Sequence, residues 1–163
     1  RPAFAAFSEF VQAHAARLSR EVLEMAWEEI SDSLAASLSL PVSSQVLHFV
    51  RLDRLDGTPM AYDEGWIAAE QANLLNREDL LDFDFFSRWR QRQKLRLRKR
   101  VFELYADAAG EESARMLAIQ AGSPVLVECS DVYTPEEGAG RIVTHYRHDL
   151  YHFKRVFHYH DLA

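Results

Sequence analysis

Apolar positions along this chain change period several times, and each change predicts an element. Phe4, Phe7, Val11, His14 and Leu18 recur at steps of three and four, which predicts an opening helix, with Ser8 able to cap its second half. "REVLEMAWEEI" predicts a strand with Leu23, Met25 and Trp27 on one face. "SDSLAASLSL" predicts a short helix with Ser31 or Asp32 as N-cap and Leu34, Ala35 and Leu38 inward, ended by Pro41 to Ser44. "QVLHFVRLDR" predicts a strand, Asp56-Gly57 a hairpin turn, and "PMAYDEGWI" the returning strand.

Residues 69–93 carry short helical pieces, the clearest starting near Asp84 with Phe85, Phe86 and Trp89 apolar. "LRLRKRVFELYA" predicts a long strand, and "DAAGEESARMLAI" a helix with Ala114, Met116 and Leu117 as its apolar part. Gly122-Ser123-Pro124 turns the chain into "VLVECSDVYT". "PEEGAG" makes a second hairpin, "RIVTHYRH" returns, and the tail "YHFKRVFHYH" adds a further strand. Strands joined by Gly-bearing turns, with helices between them, argue an antiparallel sheet with helices covering one face, an α+β fold.

Length and composition narrow this little: 163 residues suit one domain with a real core. No run of about 18 apolar residues occurs, so no membrane span is expected. The chain does not open on Met, and the expectation is a piece of something longer. A lone Cys129 excludes an intramolecular disulfide and a Cys-rich zinc site, and fits a reducing cytoplasm. The net charge of −6 makes non-specific duplex binding unfavourable, because that affinity comes from cations neutralising phosphates. The local exception is "RWRQRQKLRLRKR", Arg88 to Arg100, with eight basic residues and no acid. Its second half alternates as a strand with one solvated face, and the alternative is a phosphate-facing or DNA-facing surface.

Metal chemistry has no good pattern. His145 and His148 would point to opposite faces of a strand, and neither H-E-x-x-H nor a Cys partner exists, so no metal or other cofactor is expected. Cys129 sits in an apolar strand, where a thiol acts as a small hydrophobe. Glu111/Glu112 and Glu136/Glu137 fall at a helix start and in a turn, where they serve the helix dipole and solubility. No catalytic residues are assigned. The better signal is charge inside apolar strands: Arg51 and Asp53 share a strand face with Leu47 and Phe49, and a charge there costs free energy unless paired or liganded. A two-residue turn sets Arg51 opposite Tyr62. A three-residue turn with a Gly bulge sets it opposite Asp63, the favoured arrangement, giving an Arg–carboxylate pair at the base of a pocket. The alternative is Arg51 on a solvated edge.

"VRLDRLDGTPMAYDEGWI", "ELYADAAGEESARMLAIQAGSPVLVECSDVYT" and "THYRHDLYHF", in that order, resemble the UTRA domain (UbiC transcription regulator-associated). This is the effector-binding half of the HutC branch of GntR-type bacterial repressors. The shared pattern is an Arg-rich strand, a D-G-x-P hairpin, a helix ending in L-x-I-x-x-G-x-P-V-L and a closing Y-R-x-D-x-Y-x-F, over about Phe7 to Phe153. The resemblance implies a chorismate-lyase-like α+β fold with a central antiparallel sheet of about six strands flanked by helices. It also implies a domain that binds a small-molecule metabolite effector, forms a homodimer, and reaches operator DNA only through an N-terminal winged helix-turn-helix domain outside this chain.

Carried over by position, the resemblance assigns ligand contacts to Arg51, Asp53, Asp63, Asp84, Phe86, Arg141 and Tyr146. Several depart from the pattern. Asp53 stands where a second arginine is usual, Asp63 where a glutamate is, and Asp84 and Phe86 replace a serine and a tyrosine. Gly140 replaces a late hairpin glutamate, with Arg141 beside it, and Ala5-Ala6 replace a hydroxyl pair. A dianion beside Asp53 and Asp63 meets repulsion unless Arg51, Arg141 or Arg147 offsets it, so the expected effector is a smaller aromatic, zwitterionic or amine-bearing metabolite rather than a phosphosugar. Arg147 and Asp149 are expected to fix the bend after the last strand, with a positive φ at His148 and an exposed His152. The rival reading is an enzyme on the same scaffold acting on a chorismate-like aromatic acid, with Arg51 and Arg141 holding its carboxylates.

Overall fold

The computed structural model describes residues 6–159. The expected positions of Phe4, Ala5 and His160, and the side chains of Ala6 and Ser8, lie outside the described residues. Six strands form one antiparallel sheet: β1 (Leu18–Glu29), β2 (Gln45–Leu55), β3 (Thr58–Ala68), β4 (Lys99–Ala108), β5 (Pro124–Tyr133) and β6 (Gly138–Arg147), in spatial order β1-β2-β3-β6-β5-β4. The two hairpins thus lie side by side through β3 and β6, with β1 and β4 as edges. The helices are α1 (Ala6–His14), α2 (Asp32–Leu38), α3 (Arg77–Leu81), α4 (Phe85–Gln93) and α5 (Glu111–Leu117).

The helices cover both faces of the sheet, not the single face expected. On one face α2 packs Leu34, Ala35 and Leu38 on Val46 and Ala68, while α5 packs Ala114 and Leu117 on Leu52, Tyr62, Val125 and Val127. On the other face α3 and α4 bury Leu80, Phe85 and Trp89 against Leu47, Phe49 and Ile67. At the end of that second face, Phe7 and Phe10 of α1 meet Met60, Ala61, Tyr146 and Tyr151. The period changes seen in the sequence mark these elements because each strand buries alternate residues and each helix a stripe. Ser31 caps α2 by accepting from the Leu34 N–H, and Asp84 caps α4 by accepting from the Ser87 N–H.

Several expectations are corrected. Leu18 opens β1 instead of closing the first helix. In β1 a bulge between Val22 and Glu24 leaves Leu23 out of register; Val22 is buried, whereas Leu23 and Trp27 are exposed. The strand expected from Leu95 begins at Lys99, because Lys94 adopts positive φ to close α4 and Leu95 folds back into the core. The basic run is therefore divided: Arg88 and Arg92 grip Asp79, and Arg96 and Arg98 lie exposed between elements. Residues 151–159 form no strand. His148 has no positive φ, and the bend is held by Arg147, which donates to both oxygens of Asp149, and by the Tyr151 N–H, which donates to the Arg147 carbonyl.

The β2–β3 turn shows how one residue decides a site. Asp56 and Gly57 both take positive φ, a two-residue turn flanked by the Leu55–Thr58 pair. That turn alone would set Arg51 opposite Tyr62. A bulge intervenes, since Asp53 pairs with Ala61 but Arg54 with Pro59, leaving Met60 as the extra residue. Every pair beyond it shifts by one, and Arg51 faces Asp63. The expected pairing holds, but the bulge lies at Met60 and not in a three-residue turn.

Candidate functional site

Arg51 and Asp63 lie on the α4 face of the two central hairpin strands, both about 95% buried. The Arg51 Nε and Nη2 donate to the two Asp63 oxygens at 2.8 and 2.7 Å, and Nη1 donates to the Leu80 carbonyl at 2.9 Å. The guanidinium also lies over the Phe49 and Phe85 rings, 4.9 and 5.0 Å from their centroids. One position along, Asp53 accepts two hydrogen bonds from Arg20 of β1, at 2.7 and 2.8 Å, and Arg20 Nη1 donates to the Asp82 carbonyl at 2.8 Å. Burial alone would lower the Arg20 pKa, but the Asp53 carboxylate outweighs it and holds the guanidinium above its ordinary value. Two buried arginines therefore run from the sheet to the carbonyls at the end of α3. They fix the helical roof to the floor, and each is fully engaged by its own aspartate. Arg20 was not among the expected site residues; nothing in "LSREV" distinguishes it until β1 is set beside β2.

Tyr146 extends the same face. It is 2% exposed, stacks on Tyr151 at 3.9 Å, and donates its hydroxyl to Glu128 of β5 at 3.2 Å. In register, Arg51, Asp63, Thr144 and Glu128 form one row across β2, β3, β6 and β5. The next row holds Phe49, Gly65, Ile142 and Ser130. Gly65 is required there, because a Cβ would fall 2.0 Å from the Phe49 ring. The first two strands of this floor are fully buried, but Ile142, Thr144 and Glu128 are only half-buried although they lie inside the sheet, as is Phe102 on the edge strand β4. Among the described residues the helical layer is thus incomplete over β6, β5 and β4.

Phe86 of α4 borders this thinner region. The Arg100 guanidinium of β4 lies over its ring, 4.4 Å from the centroid, and donates to Ser130 Oγ at 2.6 Å. Burial lowers the Arg100 pKa and raises that of Glu128, whose carboxyl keeps only partial compensation from the Arg100 charge and the Tyr146 hydroxyl. Asp84, also expected here, caps α4 and is exposed.

Arg141 stands elsewhere. It projects from the opposite face of β6, where it donates to both oxygens of Asp131 at 2.7 Å beside Trp66 and the half-buried Cys129. The structure thus brings Arg51, Asp53, Asp63, Phe86 and Tyr146 to one face, adds Arg20, Arg100, Ser130 and Glu128, and separates Arg141. No group of three metal-ligating side chains occurs among the described residues. Among the described residues no helix is long and apolar enough to cross a membrane.

The Glu128 shift yields a sign that can be checked. Its carboxyl binds a proton more readily folded than unfolded, so it favours folding below the ordinary carboxylate range. That contribution is lost as pH rises through the raised folded value. Glu128→Gln, which still accepts from Tyr146, is expected to be more stable than the wild type at pH 7 and to lose that advantage toward pH 4. Urea midpoints measured across this range check both sign and window.

Comparison with known proteins agrees with this architecture. The sequence model of the UTRA domain matches residues 14–156. No curated protein sequence matches the chain significantly. Among solved structures, a possible transcriptional regulator, YydK from Bacillus subtilis, superposes with a TM-score of 0.76 at 18% identity; the match covers 86% of this chain and 63% of that one. The ligand-binding domain of a candidate GntR-family regulator from Bordetella bronchiseptica matches with a TM-score of 0.74 at 20% identity, over 87% and 90% of the two chains. The C-terminal domain of the histidine utilization repressor from Pseudomonas syringae matches at 0.73 and 16%, over 88% and 100%. At these identities the likeness is one of fold. The chain spans less than two thirds of the Bacillus protein's length.

Proposed function

This chain belongs to the UTRA domain family, and from that premise we infer that it is the effector-binding domain of a GntR/HutC-type transcriptional regulator. It holds a small metabolite without transforming it. The observation that carries this reading is the α4 face itself, where half-buried floor positions inside the sheet adjoin two buried charges, Arg100 and Glu128, that make no direct ion pair among the described residues and offset each other only in part. Buried charge without a partner costs stability, and a site that gains a ligand recovers it.

The coupling runs through the roof. Arg51 and Arg20 hold the end of α3, and Asp79 of α3 holds Arg88 and Arg92 of α4. A ligand touching Phe86 therefore acts on α4, and through α3 on the sheet. In the full-length regulator two copies form a homodimer, and an N-terminal winged helix-turn-helix domain reads the operator. Ligand binding favours one arrangement of that dimer, and the difference in affinity between arrangements sets the size of the switch, about 1–3 kcal/mol.

Thermal denaturation in the presence of pooled metabolite fractions tests the reading. A fraction containing the effector raises the melting temperature in proportion to ln(1 + [L]/Kd), and the compound is recovered unchanged. Conversion of chorismate during the incubation would favour the enzyme reading instead.

A further inference from the structure

We propose that Arg100 and Glu128 are the specificity-determining charges of this domain and select a small zwitterion, its carboxylate on Arg100 and its ammonium on Glu128. The proposal rests on the effector-binding reading and names the chemical class of the effector.

Pairing sets these two residues apart. Arg20, Arg51, Arg141 and Arg147 each donate to both oxygens of one aspartate. Arg100 points into the same face as Arg20 and Arg51, but its side-chain partners are a neutral hydroxyl, on Ser130, and the Phe86 ring. Among the described residues no carboxylate oxygen comes within 4.0 Å of its nitrogens, and no cation comes that close to Glu128. Among the described residues the one hydrogen bond to the Glu128 carboxylate comes from the Tyr146 hydroxyl. Beside them lies the buried Tyr151 hydroxyl, on the ring stacked against Tyr146, which among the described residues makes no well-formed hydrogen bond and has only the Tyr146 hydroxyl near it. A cation, an anion and a poorly satisfied hydroxyl thus share one face of the sheet, where the cover is thin over Glu128 and complete over Tyr151.

The spacing selects the ligand's size. The Arg100 guanidinium is drawn to Ser130, and Ser130 and Glu128 are two residues apart on one strand face, about 7 Å. Among the described residues Arg100 and Glu128 form no direct ion pair, although each feels the other's charge. The gap accommodates an ammonium and a carboxylate separated by one to three carbons, each within hydrogen-bond reach of its protein partner. A phosphosugar would offer a dianion to Arg100 and nothing cationic to Glu128. The Phe86 ring and Ile142 supply apolar contact for the remainder of the molecule.

The test is differential scanning fluorimetry of the chain with the L-α-amino acids, β-alanine and γ-aminobutyrate. Each effective compound is set beside analogues lacking the ammonium or the carboxylate, such as 3-phenylpropionate and phenethylamine for phenylalanine; glucose 6-phosphate is included. At least one zwitterion is expected to raise the melting temperature, and its two half-analogues to bind at least tenfold more weakly. Glu128→Gln alone, and Arg100→Leu in that background, are each expected to melt no lower than the wild type without ligand, yet to bind the zwitterion at least tenfold more weakly. Arg100→Lys, which keeps the charge but loses the planar fork, should fall between. A merely structural pair would do the reverse, lowering the ligand-free melting temperature in both variants. The proposal is overturned if only the phosphosugar or a half-analogue binds, if no zwitterion binds, or if both variants keep wild-type affinity. Binding of another compound class would leave the effector-binding reading standing; the absence of a shift with any panel member or with pooled metabolite fractions would remove both.

Discussion

Arg51→Met is expected to destabilise this domain by about 3–5 kcal/mol, a fall in melting temperature of roughly 10 °C for a chain of this size. The apolar part of the side chain is replaced almost in kind, so the loss is electrostatic. Asp63, about 95% buried, keeps its charge but loses both donors, and the Leu80 carbonyl at the end of α3 loses its own. The nearest help is Arg20, which already feels the Asp63 charge but is held by Asp53. An uncompensated buried carboxylate regains stability only by taking up a proton. The deficit of Arg51→Met should therefore narrow as pH falls toward the ordinary carboxylate range. The double variant Arg51→Met with Asp63→Leu separates the two contributions. Replacing both partners of a buried pair by apolar groups is often neutral, so it should recover most of the loss. Urea unfolding of the three proteins at pH 7 and pH 4.5 measures this. A single variant as stable as the wild type would mean that Arg51 and Asp63 are not buried together.

That pair also shows how far a sequence can be read. Arg51 among Leu47 and Phe49 was legible because a period of two assigns a charge to a buried face, and such a charge needs an opposite. Choosing Asp63 over Tyr62 required knowing the register, and the register was set by a bulge at Met60 that no turn residue announces. Parity decides Arg141 as well. It is five residues before Tyr146 on a continuous strand, so the two project from opposite faces. Arg141 entered the expected site as the neighbour of Gly140, the position the family pattern marks, while alternation alone would have kept it out. Arg20 and Arg100 were not legible in this way. Both belong to edge strands, and their partners come from register with β2 and β5 that emerges only when the sheet is assembled. Glu128 did carry a signal, a carboxylate inside "VLVEC", but its neighbour Cys129 drew attention to the opposite face.

The tail illustrates the other limit. Residues 151–159 alternate well enough to predict a strand, but the segment pairs with neither edge strand and follows a tight bend across the α4 face, where Phe153 meets Phe102. Alternation reports a half-buried extended chain and does not report whether a ladder partner exists.

Trp89→Ala is expected to be as damaging as Arg51→Met, by about 3–5 kcal/mol, and to damage function in a way that Arg51→Met does not. Trp89 is fully buried, stacks on Phe85 at 6.0 Å, meets Phe86 edge-on at 6.2 Å, and donates its indole N–H to the Gln71 carbonyl at 2.6 Å. It is the residue through which α4 is fastened to the core and through which Phe86 is held over Arg100. Truncation leaves a cavity too deep for the short α4 to refill, and it frees Phe86 to turn away. Trp89→Phe divides the effect: it keeps most of the buried area and the contact with Phe86 but leaves the Gln71 carbonyl without its donor, at about 1–3 kcal/mol. The expected order of stability is wild type, Trp89→Phe, Trp89→Ala. The expected order of effector affinity differs, with Trp89→Phe close to the wild type and Trp89→Ala far weaker under conditions where it is still folded. Melting temperatures with and without the effector, read on the same three proteins, separate the two orders. Equal losses of affinity in both variants would mean that Phe86 is positioned by something other than the Trp89 ring.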